Sequence, residues 1–322
     1  MTQLDSIKNL IGADLERLNQ LIRSSLGADN PLMDRVITSY LTTKGKQIRP
    51  IVVMLCAMMK GKITDRVLDA AAAVELLHNA SLIHDDVVDE AKLRRNSPTI
   101  NAVWDNHIAV LVGDFFVSNA LQRAIATGDL RIIDEIGKLG KLLSLGEIDQ
   151  IYNARQHNLS EKAYFKIIEF KTASLFVACA KVGLYSVNAS EEEIDKLGEV
   201  ARLLGLCFQI RDDIFDYFKA EKVGKPTGND LREGKITLPL LYALCKADAD
   251  EGMKALAAKE ELNDDEIAVL IEYARANGGI NYAYETMERL RGEAQAIVDG
   301  LPDAANAAPL MSLFDYIIAR DY

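Results

Sequence analysis

With 37 basic residues against 48 acidic, the 322-residue chain carries a net charge of −11, which argues against nonspecific nucleic-acid binding and suits a soluble cytoplasmic protein. Hydrophobic residues at 49% and charged ones at 26% exclude disordered and fibrous classes, and the length allows one large domain or two ordinary ones. Four cysteines, Cys56, Cys179, Cys207 and Cys245, are widely spaced in apolar settings without zinc-ligand spacing, so all four are expected as reduced core thiols.

The first twenty residues read as an amphipathic helix with early charges, not as a signal peptide. Helical period, with apolar residues at i, i+3, i+4 and i+7, continues through VITSYLTT and PIVVMLCAMM, the latter opened by GKQIRP with Pro50 at its start. After a break at Gly61–Lys62 comes the longest apolar tract, roughly Val67 to Val88. It is interrupted by Asp69, Glu75, His78, Asn79 and His84, so a buried helix is expected there and not a membrane span. Further helices follow at AVLVGDFFVSNALQRAI, DEIGKLGKLLSLGEIDQIYNA, EKAYFKIIEFKTASLFVACAKVGLY and EIDKLGEVARLLGLCFQIRDDIFDYF. Breaks fall around Asn96–Pro98, at Gly128 and at Asn188–Ser190. One long irregular stretch, residues 219–239, is expected as a functional loop, and helical period resumes beyond it with a break at Gly278–Gly279. Strand-like alternation is missing and no linker marks a boundary. The expectation is one all-α domain over residues 1–322, its central helices apolar nearly all round and enclosed by the others.

Two short patterns carry the chemistry. Asp85-Asp86-x-x-Asp89 ends one apolar helix and Asp212-Asp213-x-x-Asp216 ends another. First and last aspartates at i and i+4 share a helix face, so two such helices side by side would aim carboxylates across a gap. Like charges this close repel one another unless a cation sits against them. Oxygen ligands without Cys or His suit Mg²⁺, which commonly bridges carboxylates to phosphates. Basic motifs accompany both clusters: Lys46 and Arg49 in GKQIRP, Arg94 and Arg95 in KLRRNSP, Lys171 beside Thr172 in FKTAS, and Lys225 and Lys235 in GKPTGNDLREGK. Arginine forks and lysine point charges are what diphosphate oxygens require. Two solvated acidic helix ends with unrelated surface charges would be the plainer explanation, but the apolar flanks of both clusters argue against it. His78, alone on an apolar helix, would by itself be a core residue; His84 packs or orients Asp85; His107 and His157 carry no signal.

Taken in order, GKQIRP, LLHNASLIHDDVVDEAKLRR, GDFF, KTASL, FQIRDDIFDY and GKPTGNDLREGKITLP closely resemble the trans-isoprenyl diphosphate synthases, in particular the long-chain polyprenyl branch. The resemblance runs from about residue 40 to 245. It implies an all-α helical bundle of the isoprenoid synthase type around a deep central cavity, and a homodimer. It implies that Asp85, Asp86, Asp89, Asp212, Asp213 and Asp216 hold several Mg²⁺ ions, which with Arg94, Lys171, Lys225 and Lys235 grip an allylic diphosphate. Lys46, Arg49, His78 and Arg95 would hold isopentenyl diphosphate, and Thr172 and Gln209 would line the space where the allylic cation forms. Nucleic acid and stable membrane insertion have no part in this expectation, although the product is a lipid.

Ala80 and Ser81, one turn before Asp85, are small where bulky aromatics close the tunnel of the resembling short-chain enzymes. A helical turn rises about 5.4 Å, close to one extended isoprene unit, so the expected product has on the order of thirty to fifty carbons. The tunnel floor would lie deeper, near Ala73, Val74, Leu77 or Phe115–Phe116. Small residues serving only close helix packing is the other explanation. The alternatives for function are a farnesyl or geranylgeranyl diphosphate synthase and a non-catalytic regulatory homologue. A terpene cyclase is disfavoured by the aspartate-rich second motif and by GKQIRP.

Overall fold

Thr2 opens the first helix by a capping box: its hydroxyl accepts from the Asp5 amide, and the Asp5 carboxylate accepts from the Thr2 amide at 2.8 Å. That helix, α1 (Gln3–Leu10), stops at Ile11 and α2 (Gly12–Ser25) follows, so the single N-terminal helix expected from the sequence is two. The computed structural model describes residues 2–42, 45–94, 97–156, 159–218 and 227–320. The helices continue as α3 (Pro31–Thr42), α4 (Ile48–Met58), α5 (Asp65–Val88), α6 (Ile100–Val103), α7 (Asn106–Ala126), α8 (Leu130–Gln156), α9 (Glu161–Ile168), α10 (Ser174–Ser186) and α11 (Glu191–Phe215). Then come α12 (Asn229–Arg232), α13 (Leu238–Leu244), α14 (Glu251–Ala257), α15 (Asp264–Ala276), α16 (Gly279–Asp299) and α17 (Ala308–Ala319). The fold is all-α, as its periodicity predicts. The sole extended pairing among the described residues is a two-residue ladder, β1 (Leu93–Arg94) with β2 (Ser97–Pro98), where the sequence indicates only a break.

Three further expectations are corrected. The stretch read as one helix from Glu161 is broken by a π-helical turn, Glu169–Ala173, between α9 and α10. Residues 219–226 of the expected loop lie outside the described residues, but 227–239 hold α12 and the start of α13. Cys245 is exposed, unlike the buried Cys56, Cys179 and Cys207, because it caps the C-terminus of α13.

The chain divides into two compact units, residues 1–140, 175–198 and 303–310 in the first and 141–174, 199–302 and 311–322 in the second. In the first, α5 packs most extensively on α7 and also meets α2 and α4. Ala70, Ala71, Ala72, Ala73 and Val74 are all buried, so α5 is enclosed on every side over this stretch. Close approach is possible because Gly113 of α7 has no side chain: a Cβ there would fall 2.2 Å from Nε2 of His84 on α5. By length and composition α7 could cross a bilayer, but Ala109, Val112, Phe116 and Ala120 are buried in this core. The second unit closes around Tyr217, Leu231, Leu240, Leu244, Ile267 and Leu270, each buried aliphatic contributing about 1.5–3 kcal/mol.

Candidate active site

In the first unit the acidic motif occupies the C-terminal end of α5, Asp89 being the residue that caps it. Carboxylates at this end of a helix are opposed by its dipole, which raises the demand for a cation. Asp86 is turned inward, 5% exposed, and its Oδ1 accepts from Nε of Arg94 at 2.8 Å. Burial pushes its carboxyl up, and the Arg94 guanidinium pulls it back. Arg94 is fixed by the β1–β2 ladder, so in this arrangement it serves Asp86 rather than standing open to an anion. His84 lies 3.2 Å from the Val110 carbonyl and 3.5 Å from Asp114 on α7, so it packs between the two helices. His78 is buried on α5, and Ser81 donates to its carbonyl at 2.9 Å. Lys46 is half-buried, and the Arg49 guanidinium lies 5.7 Å over the Phe176 ring. Gln47, in the left-handed region at φ 57°, starts α4 between them and donates to Asn19 at 2.8 Å.

The second unit gathers more of the expected residues. A cavity of about 170 Å³ is lined by Lys171, Thr172, Gln209, Asp213 and Lys235, together with Tyr164 and Asp230. The π turn presents Lys171 and Thr172 here; π turns concentrate at functional sites because the extra residue re-aims side chains. Lys171 donates to Gln150 at 3.2 Å and pairs with Glu147. Thr172 donates to Oε1 of Gln209 at 2.6 Å, and Nε2 of Gln209 donates to Oδ1 of Asp213 at 2.8 Å. Asp213 also accepts from the Tyr164 hydroxyl at 2.6 Å. Asp216 accepts from the amides of Asn229 and Asp230 at 2.9 and 3.0 Å, at the start of α12. Asp212 pairs with Arg320, and Lys235 with Glu233. Arg95 and Lys225 lie outside the described residues.

Neither acidic triad is assembled as a ready cage: among the described residues no three Asp, Glu, His or Cys side chains converge on one point. The reason is visible in their hydrogen bonds, since Asp86, Asp212, Asp213 and Asp216 each turn an oxygen to a protein donor. The donor set nevertheless fits a hard divalent cation, being oxygen throughout. Burial pushes Asp213 up to about 7, with the Tyr164 and Gln209 hydrogen bonds opposing it. Burial likewise raises Asp216, against the amides of residues 228–230, and raises Asp230 well above its usual range, reinforced by the charges of Asp213 and Asp216. Desolvated carboxylates that raise one another in this way are ionised at low cost only when a cation joins them.

Sequence reasoning misses Tyr164, Asp230 and Arg320. Arg320 has a detectable signal, a lone base in the apolar run MSLFDYIIAR; Asp230 breaks the aspartate spacing, and Tyr164 reads as one more apolar-face aromatic.

An all-α chain with two aspartate motifs and basic side chains around them is what a diphosphate-handling enzyme requires. The profile of the polyprenyl synthetase family matches residues 30–274. The octaprenyl diphosphate synthase of Haemophilus influenzae is 34% identical, over 100% of this chain and 98% of its own. The crystal structure of geranylgeranyl pyrophosphate synthase from Bacteroides thetaiotaomicron aligns with a TM-score of 0.86 at 40% identity, covering 99% of both chains. A polyprenyl synthase from Caulobacter crescentus, complexed with calcium and isoprenyl diphosphate, aligns with a TM-score of 0.91 at 29% identity, over 99% of this chain and 98% of that one. The chain belongs to the polyprenyl synthetase family, has the all-α isoprenoid synthase fold and is a trans-prenyltransferase.

Proposed function

We propose that this enzyme condenses isopentenyl diphosphate with an allylic diphosphate, farnesyl or geranyl, in repeated head-to-tail steps, giving a long all-trans polyprenyl diphosphate. Residues 1–322 act in this reading as one polyprenyl synthase domain. The observation that carries it is the second-unit cavity, where Lys171, Thr172, Gln209 and Lys235 meet Asp213 and Asp230. The Haemophilus relative supports a long product, and the Caulobacter complex supports a divalent ion and isoprenyl diphosphate as ligands.

The carboxylates of the two aspartate motifs would hold Mg²⁺, Asp213 excepted, because Tyr164 and Gln209 already take both of its oxygens. When bound, that ion neutralises the diphosphate and makes it a better leaving group. Lys171, Lys235 and Lys225 bind the same group from the protein side, and Arg94, which the resemblance adds to them, must leave Asp86 to do so. Lys46, Arg49, His78 and Arg95 hold isopentenyl diphosphate. Breaking the allylic C–O bond sends its electron pair to the diphosphate and leaves a cation, which the oxygens of Thr172 and Gln209 stabilise. The isopentenyl double bond attacks that cation, and the departed diphosphate takes the proton lost as the new allylic double bond forms.

The enzyme works in the cytoplasm as a homodimer. A row of exposed apolar side chains on α7, with Leu111 63% and Ile125 61% exposed, supports such an association. A shorter product is the second reading, favoured by the 40% identity to a geranylgeranyl pyrophosphate synthase. Incubation with Mg²⁺, isopentenyl diphosphate and farnesyl diphosphate, followed by mass analysis, separates the two: a single addition gives a twenty-carbon product, and absence of any elongation rejects both.

A further inference from the structure

Tyr164 belongs to none of the motifs, yet the second acidic motif is set against it. Its ring on α9 is 7% exposed, and its hydroxyl donates to Oδ2 of Asp213 at 2.6 Å. Oδ1 of the same carboxylate takes Nε2 of Gln209, one helical turn earlier on α11, at 2.8 Å. Oε1 of Gln209 takes the Thr172 hydroxyl at 2.6 Å. Polarity is forced along this chain while Asp213 is ionised. A carboxylate only accepts, so it selects the NH₂ end of the Gln209 amide, and the carbonyl end is left for Thr172. Both oxygens of Asp213 are thereby engaged by protein donors.

We propose that Tyr164 is a positioning residue for prenyl transfer: through Asp213 it holds the Gln209 amide with its oxygen on the Thr172 side of the cavity, and Asp213 serves this orientation rather than direct ligation of a metal ion. The inference rests on the prenyl-transfer reading of the same cavity. A developing allylic cation is stabilised by amide and hydroxyl oxygens and opposed by an NH₂ group in the same place, so which way the amide points matters to the barrier. Without the phenol, Oδ2 of a buried carboxylate loses its donor. The carboxylate is then free to turn, and the amide to exchange its nitrogen for its oxygen.

Tyr164→Phe removes the hydroxyl and keeps the ring, whose edge-on contact with Phe165 has centroids 5.4 Å apart. Steady-state kinetics are compared with calorimetric titration of Mn²⁺ into the substrate-free enzyme. The expected result is a kcat lower by about 10–100-fold, with both KM values and the metal Kd within about twofold of the parent. In a Gln209→Leu background the same substitution causes no further loss, because residues acting as one unit are not additive. A metal Kd weakened tenfold or more overturns the proposal in favour of ligation by Asp213. Losses that add across the two substitutions overturn it in favour of general packing. Elongation by the parent enzyme separates this from the wider reading. Its absence rejects prenyl transfer itself, whereas an active parent with an unimpaired Tyr164→Phe enzyme rejects the positioning role alone.

Discussion

Arg320 reaches back across 108 residues to Asp212, its Nη2 lying 2.6 Å from Oδ1, while the same nitrogen donates to the Phe208 carbonyl at 3.1 Å. The contact is reciprocated: Nε of Arg211 donates to the Arg320 carbonyl at 2.8 Å. The end of α17 is thus tied on both sides to the turn of α11 that carries the second acidic motif.

Arg320 fixes one oxygen of Asp212, and in the proposed reading the other takes an ion. Arg320→Ala should raise the Mg²⁺ concentration for half-maximal activity by about 10–100-fold. Arg320→Lys should fall between, because it keeps the charge and loses the fork. Metal titrations of activity for the three proteins decide it; coincident curves would discard the role.

Gly146 lets α8 approach the π turn backbone to backbone, since a Cβ there would sit 2.8 Å from the nitrogen of Lys171 and 3.1 Å from its Cα. Gly146→Ala should therefore shift Lys171 and Thr172 and lower kcat by about 10–100-fold. Gly137, on the same helix, has nothing within 4 Å of such a Cβ. Gly137→Ala should leave kcat alone and add about 0.5–1 kcal/mol of stability, measured by denaturant melts.

Chain length is best probed at Ser81, which is half-buried, because Ala80 is 1% exposed and bulk added there would strain the core by about 1–3 kcal/mol. Ser81→Phe should shorten the product by several isoprene units on chromatography. An unchanged product would end the tunnel argument.

The double substitution Leu111→Glu with Ile125→Glu places charges on the exposed row of α7. Light scattering should give the mass of two chains for the parent and of one for the variant. A parent already of single-chain mass would refute dimerisation by this face.

Glu193, at the start of α11, takes a hydrogen bond from Lys60 and two from Ser190, and these hold its carboxyl at about 2. A carboxyl depressed in the folded state stabilises above its unfolded value, near 4.5, and that contribution is lost as pH falls toward 2. Glu193→Gln should melt below the parent at pH 6, with the gap narrowing by pH 3 and closing toward pH 2. A gap independent of pH would show that charge is not the cause.

Helices were legible because periodicity is local: α5, α7 and α11 follow from their apolar spacing and their flanking breaks. The aspartate motifs were legible for the same reason, as repeated spacings. The π turn was not, because an inserted residue leaves the apolar composition of EKAYFKIIEFKTASLF unchanged and alters only its phase. The pairs Tyr164–Asp213 and Arg320–Asp212 join residues 49 and 108 positions apart, and no spacing rule speaks to such distances. Arg94, expected to face a diphosphate, lies on Asp86, whose buried charge the guanidinium offsets, and no spacing rule shows that pairing.

The π turn carries one residue more than a regular helix needs. Deleting a single position between Glu169 and Ala173 would mend the hydrogen-bond ladder and rotate α9 by about 100° relative to α10. Tyr164 would swing away from Asp213 in the process. Repair of the backbone and loss of the chemistry would then arrive together: a sturdier rod, and a disarmed enzyme.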